Sequence, residues 1–545
     1  MIFKKIFSIS FIMAAMCMSC SDDLAIENPN TPTPSSLNSE EGIISFATGG
    51  VYITGFKNVK YTDGVYGPFT SGAMGFHELM GDVIGADAAN AFINQMGCPN
   101  KVTFDDGTTV NNPNSPNTQY ALIRQANTNQ AGGNNFLYYE WAYMYNLIGS
   151  CNLILEKSAT VTLSGDAATK KAALQAWAYW WKGYAYSRLG SIYYAGLILD
   201  KSFETNANYV SKEKLIEEAN ANFDKAVTAA SAAKASGFTA TWEKIIPSFY
   251  QLDKGKAMSP DELKRSISSM KARNLMVNKT TATMTAADWG NVLTLANAGI
   301  TSTDNVFTVR SDVNSLIFST GQLVMGRTYS NAAGGATYKL SERWVQEFKA
   351  GDKRLDNNIT STGAPYTGQA DRGNAHFTRH ALIANGKGLA GVQVFAKSTP
   401  GDYEFYMAVN YEENQLMKAE ALINTSKIEE GLKIIDDLRT SLGAGLAATA
   451  GKGLTLAQAK EELRRERRID VAFRGLSFYD ARRWGVIDLI ANGGGRKGAY
   501  LLSNKSVLST NGTIEYGYLD YWDVPDNELA YNPAATGSAP IKNPK

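Results

Sequence analysis

The chain has 545 residues, 44% of them apolar and 19% charged, which is ordinary globular chemistry and chain enough for roughly two to four domains. Its 53 basic residues stand against 52 acidic ones, for a formal net charge of +1. That balance supplies no basic stripe to neutralise phosphates, so nucleic acid is not an expected partner.

In chain order, Lys4 and Lys5 open a basic region and Ile6 to Met16 form a short apolar run. Cys17-Met18-Ser19-Cys20 and then Ser21-Asp22-Asp23 follow. The run is too short for a bilayer core of about 30 Å, so it predicts a cleaved signal peptide over residues 1–19. The cysteine at the cleavage point looks like a lipobox and predicts acylation of Cys20, which becomes the mature N-terminus. Cys17 departs from the leucine usual at its position. The competing reading is an ordinary signal peptide with an incidental cysteine. Residues 20–40 contain Asn28-Pro29-Asn30-Thr31-Pro32-Thr33-Pro34, and proline blocks helix, so this stretch reads as an extended, flexible tether. Beyond the signal no apolar run is long enough to cross a membrane. Cys98 and Cys151 remain; they can pair in an oxidising compartment, but Cys151 lies in an apolar helical pattern that favours a buried free thiol.

Residues 41 to about 135 alternate apolar patches with Gly, Asn and Pro and read as loop-rich. Helical repeats are expected over about 136–300. Trp141, Tyr145, Ile148, Asn152 and Leu155 mark one helix face, and Leu174, Trp177, Trp181, Tyr184 and Arg188 the next, with a polar turn from Thr160 to Asp166. Residues 211–230 give a third helix with Ser211 as its N-cap, and Asn274–Lys279 and Ala286–Ala298 continue the pattern. About 300–405 reads as long loops with a few short strands and one short helix, Leu340–Lys349. Loops this long are uncommon unless they bind something. Helices return over about 405–485. Leu416, Ala419, Leu422 and Ile423 lead through Asn424-Thr425-Ser426 into Ile428, Leu432, Ile435, Leu438 and Leu442, a helical hairpin, and a last helix runs from Leu456 to Phe473. The tail, about 485–545, is Gly-rich, then aromatic, then Pro-rich. Trp180, Gly183 and Tyr186 approximate tetratricopeptide spacing, and Ala419 and Ala421 are small enough for helices to approach.

Catalytic and metal motifs are weak. His376 and His380 are four apart, but no Glu follows the first as a zincin requires, and His77 is isolated. Gly443-Ala444-Gly445 follows a helix where a dinucleotide site needs a strand, so it reads as a flexible loop. Gly451-Lys452-Gly453 lacks the rest of a P-loop. Asp105-Asp106-Gly107 lacks the alternating ligands of a calcium loop. Asp82 and Asp87 are the closest approach to a glycosidase pair, and both read better as turn caps beside glycines. No catalytic residue, metal or cofactor is therefore expected.

The densest charged segment runs from Glu461 to Gly485. Read alone it is a solvated helix, with Glu461/Arg465 favourable at i,i+4 and Glu462/Glu466 unfavourable. Its order resembles the C-terminal signature of the SusD/RagB family, nutrient-binding lipoproteins of the Bacteroidetes outer membrane. The match is carried by Glu466, Arg467, Arg468, Ala472, Phe473, Gly475, Asp480, Arg482, Arg483 and Trp484. The chain departs from the family pattern at Asp470 (usually Glu), Val471 (usually Leu) and Arg474 (usually Glu). Leu416–Ile423, the Tyr521–Glu528 segment and Tyr531-Asn532-Pro533 resemble further family segments, and Ser21-Asp22-Asp23 is similar to the family's surface-export signal.

The resemblance implies a mainly α fold: tetratricopeptide-like helical pairs packed on a loop-rich ligand-binding region with a few short strands. It implies one such body over 41–545, anchored by lipid to the cell outer membrane and exposed at its surface. It implies an oligosaccharide or peptide ligand, a TonB-dependent (SusC-like) transporter partner, and no enzymatic activity. A sugar needs flat aromatics against its C–H faces and amides or charges for its hydroxyls. The loop-rich regions offer Phe92, Asn94, Gln95 and Tyr120, then Arg327, Tyr329, Tyr338 and Tyr366, as ligand-binding candidates. For each aromatic the alternative is core or turn packing. Two other functions fit the sequence: a surface glycan hydrolase, and a helical-repeat partner with no ligand of its own. The Glu461–Trp484 segment itself is expected to be structural, with Arg467, Arg468 and Arg482 partly buried against Asp470 or Asp480.

Overall fold

The computed structural model describes residues 36–52, 69–70, 72–86, 93–114, 116–311, 338–366 and 377–545, with the side chains of 94, 132–134 and 362–366 excepted. Cys20, the proline-rich stretch, Asp87 and His376 lie outside them. The described chain is mainly α-helical, with short strands, as the fold class expected.

Helices Leu137–Thr160 and Ala167–Ile192 form a hairpin across a turn where the Asp166 carboxylate accepts the Thr169 N–H as an N-cap. The second helix is buried on every side, from Trp180 through Ile192, because Leu137–Thr160 covers one flank and Lys212–Ser231 the other. Gly183 permits that approach: a Cβ there would lie 2.6 Å from the Phe223 ring. Ser211 does occupy the N-cap position of Lys212–Ser231, but its side chain makes no capping bond. Helices Ala235–Ile245 and Pro260–Val277 extend the array further than the apolar periodicity indicated. The second is opened by a capping box, with Ser259 and Glu262 bonding each other's backbone and Pro260 at the first turn. That signal was present in the sequence.

The heart of this half is aromatic. Trp177, Trp180, Trp181 and Trp242 surround Phe307, with ring centroids 4.4 to 5.3 Å from it. Each such ring, fully buried, contributes about 1.5–3 kcal/mol. Phe307 leads directly into strand Thr308–Arg310, which pairs antiparallel with Glu404–Tyr406. The core thereby fixes the position of the 403–406 segment.

The second helical group is Tyr411–Asn424, Ile428–Ser441 and Leu456–Asp470. Gly431 allows the first two to close: a Cβ there would meet Ile423 at 2.6 Å and the Ala419 carbonyl oxygen at 2.8 Å. The loop after Ser441 is packed, not flexible: Ala444 is fully buried and its carbonyl accepts the Lys353 N–H at 2.9 Å. Leu456–Asp470 stops three residues short of the expected Phe473, because Phe473 and Gly475 turn left-handed at φ 63° and 68°. The expected helix Leu340–Lys349 is instead a strand, Tyr338–Leu340, paired with Ile84–Ala86, and a one-turn helix, Glu342–Val345. The tail contains a hairpin, Arg496–Leu502 with Leu508–Glu515, extended by Lys101–Thr103 and Thr109–Asn111 into a four-stranded sheet. Its glycines had masked it. His380 lies on strand Thr378–Leu382, so the helical spacing considered for a metal site does not apply to it. Cys98 and Cys151 are buried thiols not joined in a disulfide, and burial pushes each up to about 12.

The charged C-terminal segment is interior. Arg467 donates to both Asp480 oxygens, at 2.9 and 2.8 Å, and Arg483 bridges Asp480 and Glu420 at 2.7 Å each. Arg468 donates to the carbonyls of Gly81 and Asp82, and Arg482 to those of Ser191, Val277 and Asp520. The segment acts as a strut joining both helical groups to the 73–86 region. Glu462 and Glu466 do not face an uncompensated repulsion. Glu466 is held by Arg354 and Arg439, while Arg439 and Lys349 reach Glu462.

Candidate functional site

A cleft of about 250 Å³ opens between the 393–412 segment and the turn after Leu456–Asp470. One wall holds Phe395, Tyr403 and Tyr406, the last two half-buried; the floor holds Asp470, Ala472 and Arg474; Glu412, Lys397 and Asp402 stand around it. Two devices position these groups. The Trp/Phe307 core sets the strand that carries Glu404 and Tyr406. The buried Glu78 carboxylate, from helix Ala73–Met80, accepts the backbone N–H groups of Phe473, Gly475 and Leu476 at 3.1, 2.8 and 3.3 Å. That grip holds the left-handed turn, and Gly475 is required there because a Cβ would lie 2.7 Å from that of Met74. Burial pushes Glu78 up to about 7 against the pull of its N–H donors. Phe473 points inward onto Trp344, so Arg474 faces the cleft, its guanidinium carbon 5.4 Å from the centroid of Tyr406.

The charges on the floor are unequally satisfied. Asp470 is 2% exposed, yet neither carboxylate oxygen has a hydrogen-bond partner, and its nearest cation, the Arg354 guanidinium, is 3.8 Å away. Burial, with Glu466 one turn earlier, pushes the Asp470 carboxyl up to about 8, while Arg354 and Arg474 pull the other way. Nη1 of Arg474 is likewise buried without a partner. A larger cavity of about 460 Å³ lies beside Trp484, Glu420 and Arg464. There the buried charges are engaged, Glu420 by Arg483 and Arg464 by Glu347 at 2.7 and 2.6 Å, and Lys460 is exposed. The unengaged polar atoms single out the first cleft. It can accept donors at Asp470, donate from Arg474, and offer aromatic faces to an apolar ring surface.

The residues expected from sequence do not gather here. Phe92, Arg327 and Tyr329 lie outside the described residues, Asn94 and Tyr366 are described by backbone only, and none of Gln95, Tyr120 or Tyr338 lines this cleft. Gln95 is half-buried on the Ile93–Met96 turn. Tyr120 is exposed, beneath the Arg124 guanidinium at 6.0 Å. Tyr338 is buried, opposite Ala86. Asp82, read as a turn cap, does sit in a turn at φ 55°, but its carboxylate is the partner of Arg343 at 3.0 and 2.7 Å. Burial opposes ionisation of Asp82, and the Arg343 charge outweighs it, holding the carboxyl well below its ordinary value. Sequence reasoning missed Phe395, Tyr403, Tyr406, Asp470 and Arg474. A signal existed: Asp470 and Arg474 are two of the three departures from the family signature, and both line the cleft. Among the described residues no cluster of His, Cys, Asp and Glu suited to a metal occurs.

Residues 411–537 match the family model described as the SusD family. No curated protein matches the chain. Among solved structures, a SusD-like carbohydrate-binding protein from Bacteroides fragilis superposes with a TM-score of 0.56 at 15% identity, over 92% of this chain and 99% of that one. A putative sugar-binding protein from Bacteroides vulgatus gives 0.55 at 15%, over 91% and 98%. A structure with a xylogluco-oligosaccharide gives 0.52 at 12%, over 92% and 99%. At these identities the likeness to solved structures shows the fold. The segment that carries the arginine signature thus matches the SusD family model, and the chain has the fold of SusD-like proteins over nine-tenths of its length.

Proposed function

We propose that this protein is a surface lipoprotein that binds an oligosaccharide, or alternatively a peptide, and hands it to a TonB-dependent outer-membrane transporter. The observation that carries the binding reading is the cleft. It sets the side chains of Tyr403 and Tyr406 in one cleft with the unpartnered polar atoms of Asp470 and Arg474. That combination suits a sugar, which presents apolar C–H faces and a ring of hydroxyls. Related folds named as carbohydrate-binding, and one with a xylogluco-oligosaccharide, support the same ligand class. The anchor at Cys20, the tether over 20–40 and the body over 41–545 belong to the same proposal, as does the transporter partner, which comes from the family resemblance. No helix among the described residues is long and apolar enough to cross a membrane.

Isothermal titration of the soluble body with a panel of oligosaccharides and peptides is the direct measurement. Binding of a glycan without its hydrolysis is expected. Turnover of the glycan would give the hydrolase reading instead, and silence across the panel would remove the binding reading. Mass spectrometry of the mature N-terminus should find an acylated Cys20. Mild-detergent purification from native cells should recover a large barrel protein alongside.

A further inference from the structure

A desolvated carboxylate without a hydrogen-bond partner is costly, and natural interiors rarely leave one. Asp470 is such a group, and it sits on the floor of a cavity. Arg474 shares that floor, resting on Tyr406, with its Nη1 also buried and without a partner. The two do not bond each other, so each lacks what the other type of group supplies: Asp470 lacks donors and Arg474 lacks an acceptor. A water or a ligand between them must donate one way and accept the other. Once Asp470 is ionised, a carboxylate-bearing ligand meets repulsion there, and an ammonium-bearing one meets it at Arg474. A hydroxyl does both jobs without charge, and two adjacent hydroxyls on one ring can reach both residues while the ring lies beside Tyr403, Tyr406 being covered by Arg474.

We infer that Asp470 and Arg474 form a subsite that grips a pair of adjacent hydroxyls on an uncharged sugar unit, an inference that rests on the glycan-binding reading above. One hydroxyl donates its proton into a hydrogen bond with the Asp470 carboxylate, and the oxygen of its neighbour accepts from the Arg474 guanidinium. The site selects neutral sugars over uronic acids and over sugars carrying a free amine. Because a donor hydrogen bond favours the ionised carboxylate, binding is coupled to loss of a proton wherever Asp470 starts protonated. The charged groups acting on Asp470 are Glu466 on its own helix, Arg474 in the following turn, Arg354 from helix Lys353–Asn358 and Glu412 from helix Tyr411–Asn424. Affinity is therefore expected to rise with pH toward and through about 8.

The test uses the soluble body as wild type, Asp470→Asn and Arg474→Gln. Probes are cellohexaose, maltohexaose and a xyloglucan heptasaccharide, with tetragalacturonate and a glucosamine hexamer as charged counterparts. At least one neutral probe should bind, each variant should weaken it about tenfold or more, and the charged probes should bind more weakly. Wild-type affinity should rise between about pH 6 and about pH 9 and be flat in Asp470→Asn. Neutral-probe binding untouched by both variants would overturn the subsite and leave the glycan reading standing. A charged probe preferred over every neutral one, or a wild-type affinity independent of pH, would overturn it too. Failure of every probe to bind the wild type would defeat the glycan reading and the subsite with it. A readout without ligand keeps the roles apart. Asp470→Asn removes a costly buried charge, so it should hold or raise the melting temperature at alkaline pH. A fall of several degrees there would assign Asp470 to the scaffold and sink the inference.

Discussion

Glu466 and Asp470 stand one turn apart on the same helix, both buried, and they have opposite fates. Glu466 accepts from Arg354 at 2.6 and 3.2 Å and from Arg439 at 2.7 Å. Despite burial, which opposes ionisation, those arginines hold its carboxyl below its ordinary value. Asp470 has no hydrogen bond, and burial pushes its carboxyl up. One carboxylate is used up by the scaffold; the other is left open to a cavity. The lesson is that burial alone does not assign a charged residue to structure or to binding. What assigns it is whether its hydrogen-bonding capacity is consumed by the protein.

The sharpest way to break the comparison is Glu466→Ala. It removes one of two carboxylates from each of two buried guanidiniums, leaving Arg354 with Asp352 and Arg439 with Glu462, and should cost about 3 kcal/mol, read from urea denaturation. A loss near zero would mean that the network is not what ties helix Leu456–Asp470 to helices Ile428–Ser441 and Lys353–Asn358. Arg482→Ala, which unpairs three buried carbonyls, should fall in a similar range or slightly below it. Ligand binding lost with stability intact would reverse our assignment of this segment.

A second test uses opposite pH slopes. Burial pushes His77 down to about 4, although Glu140 at 2.9 Å pulls it up. It is neutral in the folded state and takes a proton on unfolding below about 6.5, so stability should drop as pH falls from about 6.5 to 4, by roughly 3 kcal/mol. Asp470 acts the other way. Its raised value means that the folded state holds the proton longer, so its contribution is full below about 4 and is lost as pH rises toward about 8. Melting temperature against pH should show both limbs. His77→Gln should flatten the acid one and Asp470→Asn the alkaline one; unchanged limbs would reject both attributions.

Smaller effects calibrate the scale. Gly183→Ala presses a methyl into Phe223 and should cost about 1–3 kcal/mol without touching any charge. Lys433→Ala removes an exposed pair with Asp437 at 2.9 Å and should change stability by about 0.5 kcal/mol or less. A larger loss there would show that satisfied pairs matter even in water.

The sequence by itself determined the helical architecture and the match of its C-terminal segment to the SusD family model. Three-to-four spacing exposed the helices around Trp141, Trp177 and Leu432, because a helix buried along a face must repeat its apolar residues at that period. The arginine signature was legible because a buried charge network needs particular residue types in a fixed order, and the Thr160–Asp166 turn was legible because it is local. Other features were decided only by tertiary structure. The Arg496–Glu515 hairpin hid behind the glycines that lead into its first strand and the one, Gly498, at its register shift. Tyr338, picked as a ligand face, is consumed by a strand pairing with a segment some 250 residues earlier, which no local pattern announces. Tyr403 and Tyr406 look like any loop aromatics until the Phe307 strand aligns them. Asp470 and Glu466 differ by one methylene and one helical turn, and sequence treats them alike. Their roles separate because Arg354 and Arg439, carried on other elements, arrive at one carboxylate and stop short of the other.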